Sequence, residues 1–264
     1  DPSGDLESGI PFCPPEGDAG TGMVATNAVK PRTGNVSAGT SVFSMIVLEK
    51  PLSKAYEIID IVTTPTGKDV AMVHVNNCTS DINAWVDFVA DSLNLFDYPV
   101  TKDELYDKLF NAALSGTSDT GNILTYNYFS GEHITGLKEG RPLLIRRPNS
   151  SFSISTVMKA NLFSSIAVLK IGMNVLLNEE HVSIDSITGH GGFFKTPIVG
   201  QRILASAINT PVTTMKTASE GGPYGMAVLA NYMLEKERYK NLEEYLDKAV
   251  FANTSTHIEQ PDPQ

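Results

Sequence analysis

A strand, a glycine-rich turn and a helix follow one another twice in the second half of the chain, and this repeat limits the fold more than any other feature. The first unit runs from HVSIDSITG through GHGGFF into a helix over TPIVGQRILASAI, and the second runs from PVTTM through SEGGPYG into AVLANYMLEKE. Repeated units of this kind favour a parallel sheet with ligand-binding loops at the carboxyl ends of its strands. We therefore predict an α/β fold with a parallel sheet edge.

Strand-like segments fill much of the first half. NVSAGTSVFSMIVL predicts two short strands that break at Gly39, and IIDIVTT and VAMVHV follow. Together these segments indicate an antiparallel meander. Helical periodicity begins at Asp81, and Thr101 with Glu104 forms a capping-box pattern before a further helix. A long helix over residues 155–177 then presents apolar side chains at steps of three and four, which is typical of a helix that faces a core.

The stretch from Gly17 to Ser41 places one acidic side chain, Asp18, between two glycine-rich turns. Glycine lets backbone N–H groups approach phosphate oxygens that a Cβ would hold away. A carboxylate that faces a sugar hydroxyl can accept its proton as that oxygen attacks phosphorus, while hydroxyls and amides hold the transferring group. The stretch therefore predicts a phosphoryl-transfer site. Its members are Asp18 as the base, with Ser37, Gly39, Thr40 and Ser41 as the phosphate-holding groups.

Two other interpretations of these residues stay open. GTGMVA, from Gly20 to Ala25, satisfies the dinucleotide fingerprint G-x-G-x-x-A, which requires a buried strand before it and an acidic residue about 20 positions later. The preceding PFCPPEGDA is a poor strand because its prolines remove ladder donors, and the next acidic residue after Asp18 is Glu49. The glycines also fit an ordinary surface turn. The sequence contains no G-x-x-x-x-G-K-[ST], so a P-loop is excluded.

Composition and charge narrow the class of partner. With 264 residues and 41% apolar content, the chain can bury a sizeable core as one large or two small domains. A net charge of −10 argues against binding nucleic acid or an anionic membrane, because neither offers an acidic protein any gain from counterion release. Cys13 and Cys78 indicate neither a disulfide framework nor a zinc site, which fits a reducing cytoplasm. Polar residues interrupt the most apolar segment, residues 157–177, so no membrane span is expected.

Two glycine turns at adjacent strand ends predict the floor and wall of a nucleotide pocket. Backbone without side chains can lie close under a flat ring or a phosphate. Gln201 and Glu220 fall near the rim of this pocket, and His190 receives no role. Taken alone, the pattern fits equally well two tight connections that bind no ligand. The glycines are Gly189, Gly191 and Gly192 in the first turn and Gly221, Gly222 and Gly225 in the second.

Taken in order, GDAGTGMVATN, NVSAGTS, ITGHGGFFKTPIVGQRILASAINTPV and SEGGPYGMAVLANYM resemble the C-terminal half of an FGGY-family carbohydrate kinase. That family includes xylulose, ribulose, rhamnulose, gluconate and glycerol kinases, and the resemblance covers most of the chain. It implies an actin-like ATPase, or ribonuclease-H-like, domain: an α/β fold whose mixed central sheet has an antiparallel meander and a parallel edge, with helices on both faces. It also implies that ATP and Mg²⁺ bind in a cleft between the two halves.

The resemblance also implies roles for single residues. Asp18 is implied as the base that deprotonates the sugar hydroxyl and as an indirect, water-mediated magnesium contact. SAGTS resembles the family's second phosphate motif, and DAGTG also spells the D-x-G-T pattern of the first phosphate loop in the other half. The family's glycine run is replaced by PPEG, and the adenosine loop carries bulky Phe193 and Phe194. The implied cofactor contacts are Gly20, Thr21, Ser37, Gly39, Thr40, Ser41, Gly191, Gly192, Lys195, Gln201 and Gly225.

These expectations divide the chain into three parts. Residues 1–16 are expected to be a linker or loop from a missing N-terminal half, residues 17–252 the actin-like C-terminal kinase domain, and residues 253–264 a tail. Expected partners are a sugar or polyol substrate, the N-terminal half of the same kinase and a second copy in a homodimer, with no nucleic acid and no membrane. Glu132 in SGEH resembles a family acidic position, and a solvent-facing charge is the alternative.

The favoured function is that of an ATP-dependent sugar kinase in the cytoplasm, because the motifs occur in the family's order. The chain alone is then expected to be inactive. Two other classes remain: a non-catalytic actin-like module that binds nucleotide, and a nicotinamide-dependent oxidoreductase.

Overall fold

The computed structural model describes residues 2–115, 119–215 and 221–262. Seven α-helices and nine strands are defined within these ranges. The helices are α1 (Asp18–Ala25), α2 (Ser80–Asn94), α3 (Lys102–Ser115), α4 (Ile154–Asn174), α5 (Val199–Ile208), α6 (Gly221–Glu235) and α7 (Leu242–Tyr245). The strands are β1 (Thr33–Ala38), β2 (Val42–Val47), β3 (Asp60–Thr63), β4 (Asp69–Val75), β5 (Ile123–Tyr126), β6 (Leu143–Arg146), β7 (Ser186–His190), β8 (Val212–Met215) and β9 (Thr256–Glu259).

A seven-stranded mixed sheet with the order β3-β4-β2-β1-β7-β8-β9 forms the centre of the domain. Strands β1 to β4 pair antiparallel, which confirms the predicted meander. β7 lies parallel to β1 and to β8, which confirms the predicted parallel part of the sheet. β5 and β6 form a separate antiparallel pair.

Helices cover both faces of this sheet because its central strands alternate apolar side chains to the two sides. On one face, Ile46 and Val73 pack with residues of α2 to α5. On the other face, Met45 and Val47 pack with residues of α1, α6 and α7. The predicted arrangement of helices on both faces is therefore confirmed.

The predicted long helix is α4, which lies at the centre of the first face. Its stripe of apolar side chains is buried, and a capping box between Ser153 and Thr156 begins it. Together with a π-helical turn that extends it to Glu179, α4 has the length and composition of a membrane span, and about half of its most apolar stretch is buried in the domain. Polar residues such as Lys159 and Asn161 interrupt the segment but are few enough for it to pass this test of length and composition, which the buried core helix of a domain also passes.

The first residues of the chain form no regular secondary structure, whereas a segment near its other end forms a strand of the central sheet. Residues 2–17 form no helix or strand, and all of them except Cys13 are exposed. At the other end, the structure differs from the expected tail over Thr256–Glu259, which pairs antiparallel with β8 as β9. The buried amide of Gln201 holds it there by donating from Nε2 to the carbonyl oxygens of Val212, at 3.2 Å, and His257, at 3.0 Å.

Candidate functional site

The predicted glycine turns meet at one edge of the sheet. β1, β7 and β8 run parallel, so their carboxyl ends lie side by side. The turn at residues 39–41 follows β1, and the loop that contains Gly191 and Gly192 follows β7. After β8, residues 216–220, with the predicted rim residue Glu220, lie outside the described residues, and α6 begins at Gly221.

Asp18 lies on the same side of the domain, at the first position of α1. The end of α1 connects through residues 26–32 to the beginning of β1, and Gly22 of the helix lies over Asn35 in the middle of that strand. The first residue of α1 is therefore near the carboxyl end of β1. The Asp18 side chain is exposed, and its Oδ1 accepts a hydrogen bond from the Ala19 N–H at 2.8 Å. Within the described part of the chain it forms no ion pair. A carboxylate at a helix N-terminus is favoured by the helix dipole.

A cavity of about 540 Å³ opens between the glycine turns and two helices. Gly39 and Thr40 line it from the β1–β2 turn, and Gly192 and Lys195 line it from the loop after β7. The structure therefore brings together four of the residues that the sequence predicted as nucleotide contacts. The remaining lining residues are Thr79, Ile82 and Asn83 from α2 and the turn before it, Asp103, Tyr106, Asp107 and Phe110 from α3, and Thr196.

The turn after β1 is fixed by hydrogen bonds within itself and to the beginning of α2. The Gly39 N–H donates to the Ser41 carbonyl oxygen at 2.8 Å, so this amide is not free for a phosphate as the sequence analysis expects. The Thr79 N–H donates to the Gly39 carbonyl oxygen at 3.0 Å, and the Cys78 N–H donates to that of Thr40 at 2.9 Å. Thr40 is exposed and lines the cavity, while Ser41 is half-buried and lies outside the lining.

The loop after β7 depends on glycine at one position. Gly191 has φ +97°, and a Cβ there would lie 2.5 Å from the Ala38 carbonyl oxygen. This conformation lays the loop directly on the end of β1. Gly192 has open space where its side chain would be, and Lys195 is exposed. Bulky Phe193 is completely buried in the core, so it takes no space from the cavity.

Other predicted contacts have packing roles in this structure and do not line the cavity. Gln201 is 2% exposed and holds β9. Gly225 lies where α6 crosses α1, against the backbone of Thr21. Thr21 is buried and donates its hydroxyl hydrogen to the Asp18 carbonyl oxygen at 3.0 Å, and Gly20 is buried beside it. Ser37 is half-buried on β1, paired with His190 of β7.

The dinucleotide fingerprint lacks its structural context. Its glycines, Gly20 and Gly22, lie inside α1, and the segment before that helix is not a strand. The fingerprint needs a glycine turn between a buried strand and a helix. The interpretation as a nicotinamide-dependent oxidoreductase therefore loses the feature on which it rested.

Sequence reasoning missed the wall of the cavity that α3 provides. One of the two hydrogen bonds of the predicted capping box is present, since the Glu104 N–H donates to Thr101 Oγ1 at 3.3 Å. Nothing in the sequence relates the helix that follows to glycines more than 80 positions later. In the structure, Tyr106 donates to Asn83 Oδ1 at 2.6 Å, and Thr196 Oγ1 donates to Asp107 at 2.7 Å, which joins α3 to the loop after β7. Burial raises the pKa of the Tyr106 hydroxyl, which keeps it a hydrogen-bond donor.

His190, to which the sequence assigns no role, lies at the same edge of the sheet at the end of β7. Its Nε2 lies 3.4 Å from Asn35 Nδ2, and burial lowers the pKa of the imidazole. A neutral ring is therefore favoured at physiological pH.

A larger cavity of about 600 Å³ lies between α3, α4 and α5. Its walls are mainly apolar, and no predicted site residue lines it. The smaller, polar cavity is the candidate site because it joins two separately predicted motifs.

Comparisons with known proteins identify the family and the fold. Residues 34–234 match the FGGY family of carbohydrate kinases, C-terminal domain. Among solved structures, xylulose kinase from Rhodospirillum rubrum superimposes with a TM-score of 0.74 at 16% identity, over 98% of this chain and 48% of that one. Plasmodium falciparum glycerol kinase with ADP gives a TM-score of 0.70 at 16% identity, over 93% of this chain and 46% of that one.

The chain thus spans about half the length of these solved structures. A search of curated proteins by sequence found no significant match. At such low identity the solved structures establish the fold, which is the actin-like ATPase fold, and the match over residues 34–234 establishes the family. This protein belongs to the FGGY family of carbohydrate kinases and carries its C-terminal domain.

Proposed function

We propose that this chain is the nucleotide-binding half of an ATP-dependent carbohydrate kinase. The observation that carries the proposal is the convergence of Gly39, Thr40, Gly192 and Lys195 on one polar cavity. The two motifs are about 150 residues apart in the sequence, and packing does not require glycine at position 39 or 192, because a side chain at either position would meet open space. A kinase related in fold, the glycerol kinase of Plasmodium falciparum, was solved with ADP.

The cavity suits a nucleotide in size and chemistry. Its volume of about 540 Å³ lies within the usual range for small-molecule sites. Lys195 supplies a positive charge for phosphate, while Asn83 of α2 offers a side-chain amide. Bound ATP would supply the phosphoryl group that is transferred. The exposed hydroxyl of Thr40 and the half-buried hydroxyl of Ser41 then hold its terminal phosphate.

Asp18 is proposed as the general base. Its carboxylate is exposed, free of ion pairs among the described residues, and placed on the side of the domain where the strands end. It accepts the proton of a sugar or polyol hydroxyl as that oxygen attacks phosphorus. The described residues hold no group of three or more metal-ligating side chains. This fits Mg²⁺, which proteins commonly bind through one or two carboxylates, waters and substrate phosphates, with Asp18 acting through water.

The remaining parts of the site are assigned to a second half. The chain spans about half of the length of the related solved kinases. We infer that an N-terminal half of the same protein closes the cleft and supplies most contacts to the substrate, and that this chain alone does not phosphorylate sugars.

The test uses the complete protein that contains this chain. Asp18→Asn keeps the shape of the side chain but removes its basicity, so we expect phosphorylation of ketoses and polyols to fall at least a thousandfold while ATP affinity changes less than threefold. Asp91→Asn, on the exposed face of α2, is the matched control and should retain full activity. Unchanged turnover in Asp18→Asn would contradict the role of Asp18 as the general base. Binding of ATP without any turnover in the unmodified protein would favour a non-catalytic module.

A further inference from the structure

Glu132 has a completely buried carboxylate in the loop between β5 and β6. Its Oε2 accepts hydrogen bonds from the Asn76 N–H at 2.9 Å and from Asn77 Nδ2 at 3.1 Å. Its Oε1 lies 3.5 Å from His133 Nδ1. The alternative of a solvent-facing charge is therefore wrong for this residue. A buried carboxylate is unfavourable unless donors surround it, so its place in the fold requires an explanation.

The segment that Glu132 holds, residues 76–79, connects β4 to α2 and contacts the proposed phosphate turn with its other side. The Cys78 N–H donates to the Thr40 carbonyl oxygen at 2.9 Å, and the Thr79 N–H donates to that of Gly39 at 3.0 Å. Thr79 Oγ1 donates to the same Gly39 oxygen at 2.7 Å. The Glu132 carboxylate thus bonds to the first two residues of this segment and the turn bonds to the last two, and the covalent backbone joins the two pairs.

Further side chains make this segment rigid. Asn77 Oδ1 accepts the N–H groups of Phe129 and Ser130 at 2.8 and 2.9 Å, so the loop that carries Glu132 is fixed to the same residue. Asn127 Nδ2 and Ser165 Oγ both donate to the Cys78 carbonyl oxygen, at 3.0 and 3.1 Å. Charged acceptors form stronger hydrogen bonds, and buried polar networks with most partners satisfied define a single geometry.

We propose that Glu132 is a positioning residue that fixes the turn at residues 39–41 for phosphate binding, acting through residues 76–79. The inference rests on the proposed function, because that function assigns the phosphate to this turn. Glu132 lines neither of the two cavities described above, so its effect on nucleotide binding passes through the backbone.

Two substitutions, Glu132→Gln and Glu132→Asp, separate the effect of where the side-chain oxygens lie from the effect of the negative charge. Gln keeps the length and an acceptor oxygen, while Asp keeps the charge but withdraws both oxygens by one methylene group. Glu139→Gln is the matched control, because Glu139 lies in the same loop with its side chain 80% exposed. The first measurement is hydrogen exchange of the Cys78 and Thr79 amides without nucleotide, relative to amides of α6.

We expect Glu132→Asp to accelerate exchange at Cys78 and Thr79 at least tenfold while α6 changes less than twofold. Glu132→Gln should stay within threefold of the unmodified protein and Glu139→Gln should equal it. The positioning role would be overturned if Glu132→Gln and Glu132→Asp accelerated exchange at Cys78 and Thr79 equally. Acceleration spread evenly over the whole chain would also overturn it. If Glu132→Asp does not fold, Asn77→Ala is measured in its place, and unchanged exchange at Cys78 in that variant also overturns the proposal.

The second measurement is the affinity for ADP with magnesium chloride by calorimetry. We expect Glu132→Asp to weaken binding at least tenfold and Glu132→Gln less than threefold. A lack of ADP binding by the unmodified protein would contradict the proposed function, and hydrogen exchange would still decide the role of Glu132. Binding that is normal in Glu132→Asp despite faster exchange would show that the turn does not hold the nucleotide and would overturn the positioning claim.

Discussion

Gly225 of α6 lies directly against the backbone of Thr21 in α1. A Cβ at Gly225 would come closer to the Thr21 carbonyl oxygen than the 3.0 Å that real Cβ atoms keep. Gly222, one turn earlier, is less crowded, since its Cβ would lie 3.3 Å from Thr21 Oγ1. Because Thr21 also hydrogen-bonds to the Asp18 carbonyl oxygen, this crossing sets the position of the proposed base.

Gly225→Ala should therefore destabilise the domain and disturb Asp18. Forcing a methyl group into a packed helix crossing costs about 1–3 kcal/mol. Gly222→Ala meets only a side-chain oxygen, and alanine favours a helix, so its free energy of unfolding should change by less than about 1 kcal/mol. Urea unfolding of both variants measures the difference. Equal stability of the two variants would show that the crossing adjusts freely.

The same residue shows what sequence reasoning can and cannot reach. A glycine after a strand fits a ligand turn and a close helix crossing equally well, and Gly225 serves the second purpose. The choice depends on α1, which lies about 200 residues earlier. By contrast, Gly39 and Gly192 line one cavity, because β1 and β7 run parallel and their carboxyl ends meet. Their contact with a nucleotide stays a prediction.

β9 could not be predicted for a related reason. Thr256–Glu259 has no apolar alternation, and three of its four residues are exposed. It is a strand because two consecutive residues of α5 hold it. Gln201 donates to the His257 carbonyl oxygen, and Arg202 forms an ion pair with Glu259 at 3.0 Å. Tertiary contacts of this kind override the local pattern.

The neighbouring glycines of the loop after β7 should respond in opposite ways to substitution. Gly192→Leu places a side chain in open space at the cavity wall, so we expect little change in stability and at least a tenfold loss of ADP affinity. Gly191→Ala strains a backbone with φ +97° and approaches the Ala38 carbonyl oxygen, so stability should fall by about 1–3 kcal/mol. Thermal unfolding and calorimetry separate the two effects. Full ADP affinity in Gly192→Leu would place the nucleotide elsewhere.

Acid should weaken the domain through Glu180, which follows the π-helical turn after α4. Its carboxylate accepts hydrogen bonds from the Ser53 hydroxyl at 2.5 Å, the Tyr56 hydroxyl at 2.6 Å and the Ser53 N–H at 2.9 Å, and these lower the pKa of Glu180 from 4.5 to about 2. Because the pKa is lower in the folded state, the stability that this carboxylate contributes is complete above about pH 4.5 and is lost as pH falls towards 2.

Glu180→Gln should therefore be less stable than the unmodified protein at pH 7. The difference in free energy of unfolding between the two should shrink as the pH approaches 3. Glu179→Gln, an exposed neighbour without these bonds, is the control in urea unfolding at each pH. A difference between Glu180→Gln and the unmodified protein that stays constant from pH 7 to pH 3 would contradict the assignment.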